Sequence, residues 1–318
     1  MLIACDDPGD TSPPADCYED PSACIDPTGV HYQFVVDAMW LSATRDEILA
    51  HSFDLDGDPG ARPDNRLGTM LGSGFELEAG AGLLGERLAR GDPIVLLDLQ
   101  ATSWPDSDGA GLRLRFGADA QPPPCNGPDD DVCGRHLAGD AEFAIATDSP
   151  ANALLAGSIT DTFVGGPGRA VFDVAVDGVA PARFDLTGAR VELVATPTGV
   201  RGRIGGGIPD IDGSDLLDSL AVESWRRVIA RDCPAPTPPD CACDAGSDGE
   251  QYLELFDSNG NCALDLEELK TACDLGCWDD PDLDLLDADG SFRPRTDGLR
   301  ESLSFGLEFS AVPARFPR

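Results

Sequence analysis

The chain has 318 residues, of which 58 are Asp or Glu and 22 are Lys or Arg, so its formal net charge is −36. This charge argues against nucleic acid and anionic lipid as partners, because both are negative and would repel the chain. Hydrophobic residues make up 42% of the chain, which is enough for packed cores, and 36 glycines with 26 prolines favour turns and short strands. The length fits about two domains.

The first residues are MLIACDD, in which a small residue precedes Cys5. Leu2-Ile3-Ala4-Cys5 resembles the lipobox of bacterial lipoproteins, and the resemblance implies a lipid on Cys5. We then expect the true start to lie upstream, because four residues cannot hold a signal peptide. Residues 1–29 would form a lipobox-like start and a Cys/Pro-rich tether. The alternative is an apolar start with a fortuitous cysteine.

Eleven cysteines favour an oxidising compartment, because most of them lie in loops rich in Pro, Asp and Gly. If Cys5 carries lipid, ten cysteines remain for five disulfides, whose connectivity the sequence leaves open. Those ten are Cys17, Cys24, Cys125, Cys133, Cys233, Cys241, Cys243, Cys262, Cys273 and Cys277. A zinc site is the alternative, and it is disfavoured because the chain has three histidines, none beside a CxxC, and no pair of CxxC motifs.

Apolar, β-prone segments follow one another from Tyr32, separated by turn residues about every eight to twelve positions, the rhythm of an antiparallel β-sandwich or barrel-like domain. The fold class predicted is therefore mainly β (α+β). In chain order the predicted strands are YQFVVDAMWLSA, PIVLLDLQATSW, GLRLRFGADA, HLAGDAEFAIAT, ANALLAGSIT, GRAVFDVAVDG, ARFDLTGARVELVAT, GVRGRIGGGI and the tail ESLSFGLEFSAVPARF.

Two helical stretches interrupt the strands, at Leu83 to Ala89 and in the amphipathic segment Ser214 to Cys233. The composition changes sharply at the Cys/Pro-rich stretch 233–249, which we interpret as a linker. We therefore expect a β-rich domain with a C-terminal helix at 30–232, and a small module at 250–318 with a helix-loop-helix, an Asp-rich loop and the final strand. If that strand pairs with the main sheet, cutting the linker does not separate the two parts.

The stretch FDSNGNCALDLEEL has oxygen-bearing residues at alternate positions and then a glutamate. It resembles an EF-hand loop over about residues 247–275, and the resemblance implies Ca²⁺ held by side chains at positions 1, 3, 5, 9 and 12 and by a carbonyl at position 7. The corresponding residues are Asp257, Asn259, Asn261, Asp265, Glu268 and, for the carbonyl, Ala263. Two asparagines instead of aspartates imply weak affinity, on the order of 10⁻⁴ to 10⁻³ M.

The sixth position of this loop departs from the EF-hand pattern, because Cys262 stands where glycine is usual and the backbone there takes a positive φ. We expect a disulfide to hold Cys262 in that conformation. Asp265 and Glu268 form a capping-box pattern at the start of the exiting helix. The alternative for the whole stretch is an acidic, capped helix hairpin that binds no ion.

A second aspartate pattern occurs twice, in DLDGDPGARPD and DADGSFRPRTD. It resembles the calcium loops of thrombospondin type 3 repeats and dockerins, although neither copy fits their full consensus. The resemblance implies two further, weaker calcium sites, and the alternative is Asx-turn loops without an ion. Their ligands would be Asp54, Asp56, Asp58 and Asp64 in the first copy and Asp287, Asp289 and Asp297 in the second.

No catalytic motif occurs in the chain. GAGLLG at Gly80 to Gly85 satisfies GxGxxG, but it lacks the βαβ context and the acidic residue about 20 positions on that a dinucleotide site needs. Tryptophans such as Trp104, Trp225 and Trp278 suit packing better than a carbohydrate platform. No run of about 18 apolar residues is present, so no transmembrane span is expected.

Taken together, the lipobox-like start, β-rich middle, Cys/Pro linker and EF-hand-like loop resemble uncharacterised exported bacterial lipoproteins. The resemblance implies an extracytoplasmic setting, secreted or in the cell envelope, and no known activity. We therefore hypothesise a non-enzymatic calcium-binding protein, with calcium and a cell-surface glycan or protein as partners. Two alternatives remain open: a calcium-dependent cell-surface hydrolase, and a carbohydrate- or protein-binding adhesin.

Overall fold

The computed structural model describes residues 16–40, 44–57, 64–68, 85–127, 132–174, 182–209, 222–223, 225–234, 236–273 and 281–317. Cys5, Asp58 and Cys277, which the sequence marks as candidate functional residues, lie outside the described residues. Nine β-strands occur in the described part of the chain. They are β1 (Val30–Trp40), β2 (Val95–Ala101), β3 (Asp106–Gln121), β4 (Glu142–Ile145), β5 (Leu154–Thr160), β6 (Thr162–Val174), β7 (Ala182–Thr196), β8 (Gly199–Pro209) and β9 (Ser302–Pro313).

Eight of these strands form a closed antiparallel barrel. The hydrogen-bonded order is β2-β1-β9-β8-β7-β6-β5-β3, and the pairing of β2 with β3 closes the ring. Strand β4 pairs with β3 and stands outside the ring. The mainly β prediction is confirmed, and of its two architectures the barrel is correct and the sandwich is wrong. Closure leaves none of the eight ring strands as an edge strand, which limits strand-to-strand aggregation through the ring.

The final strand β9 lies between β1 and β8, with Val36 opposite Ala311 on one side and Val200 opposite Ala311 on the other. The strand that the sequence allowed to return to the main sheet therefore closes the barrel between the first and eighth strands. Residues 302–313 are thus part of the barrel, although they follow the helix-loop-helix in the chain.

The barrel interior is filled by apolar side chains, as expected for a barrel of this strand number. Alternate residues of each strand point inward, so that Leu97 and Leu99 of β2 pack with Leu112 and Leu114 of β3 in one cluster to which all eight strands contribute. A second cluster covers part of the outer wall, where Leu96 packs with Phe143 of β4 and with Phe316 near the C-terminus.

The described helices are short and lie between or after the strands. They are Asp16–Glu19, Arg45–Ala50, Asp248–Phe256 and Leu266–Cys273, with 3₁₀ turns at Pro21–Cys24 and Arg135–Leu137. Further helical residues occur at 66–68, 85–90, 222–223 and 225–232, the last two falling in the amphipathic segment predicted to be helical. No helix in the described ranges is long and apolar enough to cross a membrane.

Four disulfides join cysteines of the described residues: Cys17–Cys24, Cys125–Cys133, Cys233–Cys243 and Cys241–Cys262. Their number indicates an oxidising environment, since the cytosol keeps thiols reduced. The last two disulfides are the most relevant to the acidic loop that follows. Cys233–Cys243 closes a ring within the stretch 233–249, which was predicted as a linker, and Cys241–Cys262 joins that stretch to the loop.

Candidate metal centres

The loop that resembles an EF-hand lies between the helices Asp248–Phe256 and Leu266–Cys273. The entering helix begins with Ser247 as N-cap, whose hydroxyl accepts a hydrogen bond from the amide of Glu250. At the exiting helix the Asp265 carboxylate accepts from the amide of Glu268 at 2.9 Å, and the Glu268 carboxylate accepts from the amide of Asp265 at 3.2 Å. These reciprocal bonds form the predicted capping box and fix the orientation of the helix relative to the loop.

Asp257 organises the first half of the loop. Its Oδ1 accepts a hydrogen bond from the amide of Asn261 at 3.0 Å, and its Oδ2 accepts from the amide of Cys262 at 2.8 Å. Asn261 Oδ1 in turn accepts from the amide of Ala263 at 2.8 Å. The backbone therefore curls around the carboxylate of loop position 1, as an Asx-type turn does.

Glu268 closes the loop from its other end. The side chain is buried, with a relative exposure of 5%, and its Oε1 accepts a hydrogen bond from the amide of Asn259 at 3.3 Å. A glutamate at position 12 thus reaches across to position 3. The carboxylates of Asp257 and Glu268 therefore both accept hydrogen bonds from main-chain amides of the same loop.

Cys262 adopts a positive φ of 63°, the left-handed conformation that normally requires glycine. Its disulfide to Cys241 ties this bend to the preceding segment, and Cys233–Cys243 ties that segment to the end of helix 225–232. Cys241, Asp257 and Cys262 have ligand atoms close enough for a metal. Both sulfurs are in a disulfide, however, so this trio is not a metal site.

A small apolar core supports the loop. Leu264 and Leu269 are fully buried and pack with Leu253 of the entering helix. Trp225 stacks on Tyr252 and Phe256, with ring centroids 5.1 and 4.8 Å apart. Arg226 donates a hydrogen bond from Nε to the carbonyl oxygen of Leu264 at 2.6 Å. The helix 225–232, which we expected at the end of the β-rich domain, therefore packs with the acidic loop.

The first aspartate-rich loop gathers carboxylates on one side of the barrel. Oxygens of Asp54, Asp56 and Asp64 all lie within 4.8 Å of one another. Asp64 is buried and its Oδ2 accepts a hydrogen bond from the amide of Leu55 at 2.7 Å. Burial, together with the charges of Asp56, Asp282 and Asp54, raises the pKa of Asp64 to about 7.

Asp282 is a member of this acidic group that sequence reasoning missed. Its carboxylate accepts hydrogen bonds from the amide of Ser304 at 2.7 Å and from the Ser304 hydroxyl at 2.5 Å, and burial raises its pKa. It lies more than two hundred positions after Asp64 in the chain, so no local motif connects the two residues. The only sequence signal was its place in the acidic run DLDLLDADG.

In the second aspartate-rich loop, the predicted ligands form hydrogen bonds and an ion pair with nearby residues of the same loop. Asp287 accepts from the amide of Asp289 at 3.1 Å and forms an ion pair with Arg293 at 3.4 Å. Asp289 accepts from the amide of Ser291 at 2.9 Å, and Asp297 accepts from the amide of Leu299 at 2.9 Å. These are the Asx-type turns that the sequence allowed as the alternative to an ion site.

Comparisons of the chain with protein-family models, with curated proteins and with solved structures each return no match.

Proposed function

We propose that this chain is a non-enzymatic calcium-binding protein of an oxidising, extracytoplasmic compartment. Ca²⁺ at the loop 257–268 would stabilise the small apolar core that includes Trp225, Leu253 and Leu264. The observation that carries the proposal is that the buried carboxylate of Glu268 accepts a hydrogen bond from the amide of Asn259, while the carboxylate of Asp257 accepts from the amides of Asn261 and Cys262 in the same loop.

The chemistry of the loop suits a hard cation. Each carboxylate oxygen has two lone pairs, so Asp257 can accept amide hydrogen bonds and still coordinate an ion. Glu268 can be bidentate, and Asn259 and Asn261 add amide oxygens, with the Ala263 carbonyl as a further ligand. Ca²⁺ takes six to eight oxygen ligands of these kinds, whereas Mg²⁺ demands a stricter octahedron.

Because of the two asparagines, the loop has less negative charge than a high-affinity calcium site. Its expected Kd therefore suits the millimolar calcium concentration found outside the cytosol. An ion that binds only the folded state contributes RT ln(1 + [L]/Kd), which is about 1.4 kcal/mol when calcium is ten times its Kd. That amount is a useful part of the stability of so small a core. A lipid at Cys5 would place this module at the cell envelope, where its partner is a surface glycan or protein.

A thermal melt of the oxidised protein, in calcium and in chelator, tests the proposal. Calcium should raise Tm, and Glu268→Gln should remove the part of the increase due to this loop. Glu267→Gln is the matched control, because it makes the same chemical change at the exposed neighbouring position and should retain the full response. Equal calcium responses in wild type, Glu268→Gln and Glu267→Gln would contradict calcium binding at this loop.

A further inference from the structure

Two carboxylate oxygens in the segment 284–301 are buried without a hydrogen-bond partner among the described residues. They are Oδ1 of Asp284 and Oε2 of Glu301. Asp284 as a whole is only 7% exposed. Buried carboxylate oxygens are almost always hydrogen-bonded or bound to a cation, so a pair without donors requires an explanation.

The other atoms of these two side chains show where the carboxylates point. Asp284 Oδ2 accepts a hydrogen bond from the amide of Gly298 at 2.8 Å, so the side chain faces the far end of the segment. Glu301 Oε1 accepts from the amides of Leu285 at 2.9 Å and Leu286 at 3.1 Å, so that side chain faces the near end. Each carboxylate therefore reaches across the segment to main-chain amides near its other end, and Glu301 accepts from the amide of the residue directly after Asp284.

The arginines of the loop do not neutralise this pair in the structure. Arg293 pairs with Asp287 at 3.4 Å, Arg295 donates from Nη1 to the main-chain oxygen of Gly57 at 2.8 Å, and Arg300 is exposed. Asp287 and Asp289, two of the predicted ligands, accept hydrogen bonds from main-chain amides of their own turn. The two buried oxygens of this segment that have no partner in the described part of the chain thus belong to residues outside the predicted ligand set.

We propose that Asp284 and Glu301 hold a divalent, oxygen-preferring cation, Ca²⁺ or Mg²⁺, at the base of this loop, with water completing the coordination. The cation would join the two ends of the segment immediately before β9. Leu283 and Leu285 flank Asp284 and pack with Phe53 and Leu55, so the ion would also hold this apolar cluster in place. The site shares no residue with the loop 257–268 and does not depend on calcium binding there.

The test counts ions in the full-length oxidised protein by equilibrium dialysis with radioactive calcium, and with magnesium in a parallel series. Asp284→Asn and Glu301→Gln should each bind one ion fewer per chain than wild type. Glu267→Gln, which neutralises an exposed carboxylate outside every candidate ligand set, should bind the wild-type number. Glu268→Gln reports separately on the other loop. Wild-type stoichiometry in both Asp284→Asn and Glu301→Gln would overturn the proposal and assign the pair to a shared proton or water.

A second measurement avoids substitutions in this loop in case those variants fail to fold. Hydrogen–deuterium exchange of the Asp56→Asn protein, which has lost a carboxylate of the neighbouring loop, is followed with and without the cation. Amides of residues 284–301 should exchange at least several-fold more slowly when the cation is present. Unchanged exchange across this segment at saturating calcium and magnesium would also overturn the proposal.

Discussion

Arg295 donates a hydrogen bond from Nη1 to the main-chain oxygen of Gly57, 2.8 Å away in space and 238 positions earlier in the chain. The bond joins the two aspartate-rich loops, which the sequence presents as separate copies of one pattern. The apolar cluster of Phe53, Leu55, Leu283 and Leu285 lies beside it. The two loops therefore form one acidic structure on the outside of the barrel.

Removing this link should loosen the contact between the loops. We expect Arg295→Ala to lower the free energy of unfolding by about 1 kcal/mol, the usual contribution of a hydrogen bond. Arg295 also has a φ of 61°, so Arg295→Gly should recover part of the loss by relieving backbone strain. Urea denaturation measures both effects. Arg300→Ala, at an exposed position of the same segment, is the control and should be near neutral.

The disulfide at Cys262 acts on a strained backbone position, and two variants separate its effects. Cys262→Ser removes a cross-link that closes a loop of about 20 residues, which should cost about 3 kcal/mol, and it keeps a side chain at positive φ. Cys241→Ser with Cys262→Gly removes the same cross-link but relieves the strain, and should be about 1 kcal/mol more stable than Cys241→Ser with Cys262→Ser. Thermal melts in chelator measure the difference, and equal midpoints for these two double variants would refute the strain argument.

The raised pKa of Asp64 predicts a dependence of stability on pH. The folded protein holds a proton on Asp64 up to about pH 7, whereas the unfolded chain releases it near the ordinary value of 3.8. Stability in chelator should therefore fall as pH rises through this window, by on the order of 2–4 kcal/mol, and stay level above it. Asp282, whose pKa burial also raises, contributes with the same sign.

Asp64→Asn should flatten this dependence in urea denaturation between pH 4.5 and about 8. The asparagine keeps an oxygen for the amide of Leu55, so the variant should remain folded. Asp54→Asn, at an exposed position of the same loop, should retain most of the slope. A wild-type stability that rises over this range in chelator would contradict the assignment.

Arg203 fastens the helix Arg45–Ala50 to the barrel. Its guanidinium binds both oxygens of Glu192, at 3.0 and 2.8 Å, and donates from Nη1 to the carbonyl oxygens of Ala50 and Ser52 at 2.8 and 2.7 Å. It also lies 4.5 Å from the ring centroid of Phe53. We expect Arg203→Ala to destabilise the protein by about 2–3 kcal/mol, because a bidentate pair is lost and acceptors are left unsatisfied.

Arg201→Ala is the matched control for this contact. Arg201 lies on the same face of β8 and pairs with Glu308, but its side chain is 60% exposed. Exposed ion pairs contribute about 0–1 kcal/mol. Arg201→Ala should therefore lower the free energy of unfolding, measured by urea denaturation, much less than Arg203→Ala does. Equal losses in the two variants would show that Arg203 is an ordinary surface charge.

Much of the barrel could be predicted from local pattern. Each segment expected to be a strand contains one, although in HLAGDAEFAIAT only Glu142–Ile145 is a strand, and β7 and β8 begin at the predicted residues. The closure of the sheet into a barrel could not be predicted, because the alternation of apolar and polar residues shows only that one face of each strand is buried. A sandwich and a barrel bury that face equally well.

The candidate metal sites could likewise be predicted only in part from the sequence. The loop 257–268 could be proposed from sequence because its side chains all lie within twelve positions, and the positive φ of Cys262 follows from its place in that loop. Asp282, Asp284 and Glu301 were missed, since their significance depends on burial and on unsatisfied oxygen atoms. Neither property can be assigned from residue type in a chain with 58 carboxylates.

The sequence by itself determined the strand segments, the capped helix-loop-helix and the oxidising environment, because each depends on residue types a few positions apart or on composition. Only the tertiary structure decided that β9 completes the barrel, which disulfides form, and that two distant aspartate-rich loops meet through Arg295 and Gly57. The physical reason is that these contacts join residues far apart in the chain. They are selected by burial and geometric fit across the whole molecule and not by local conformational preference.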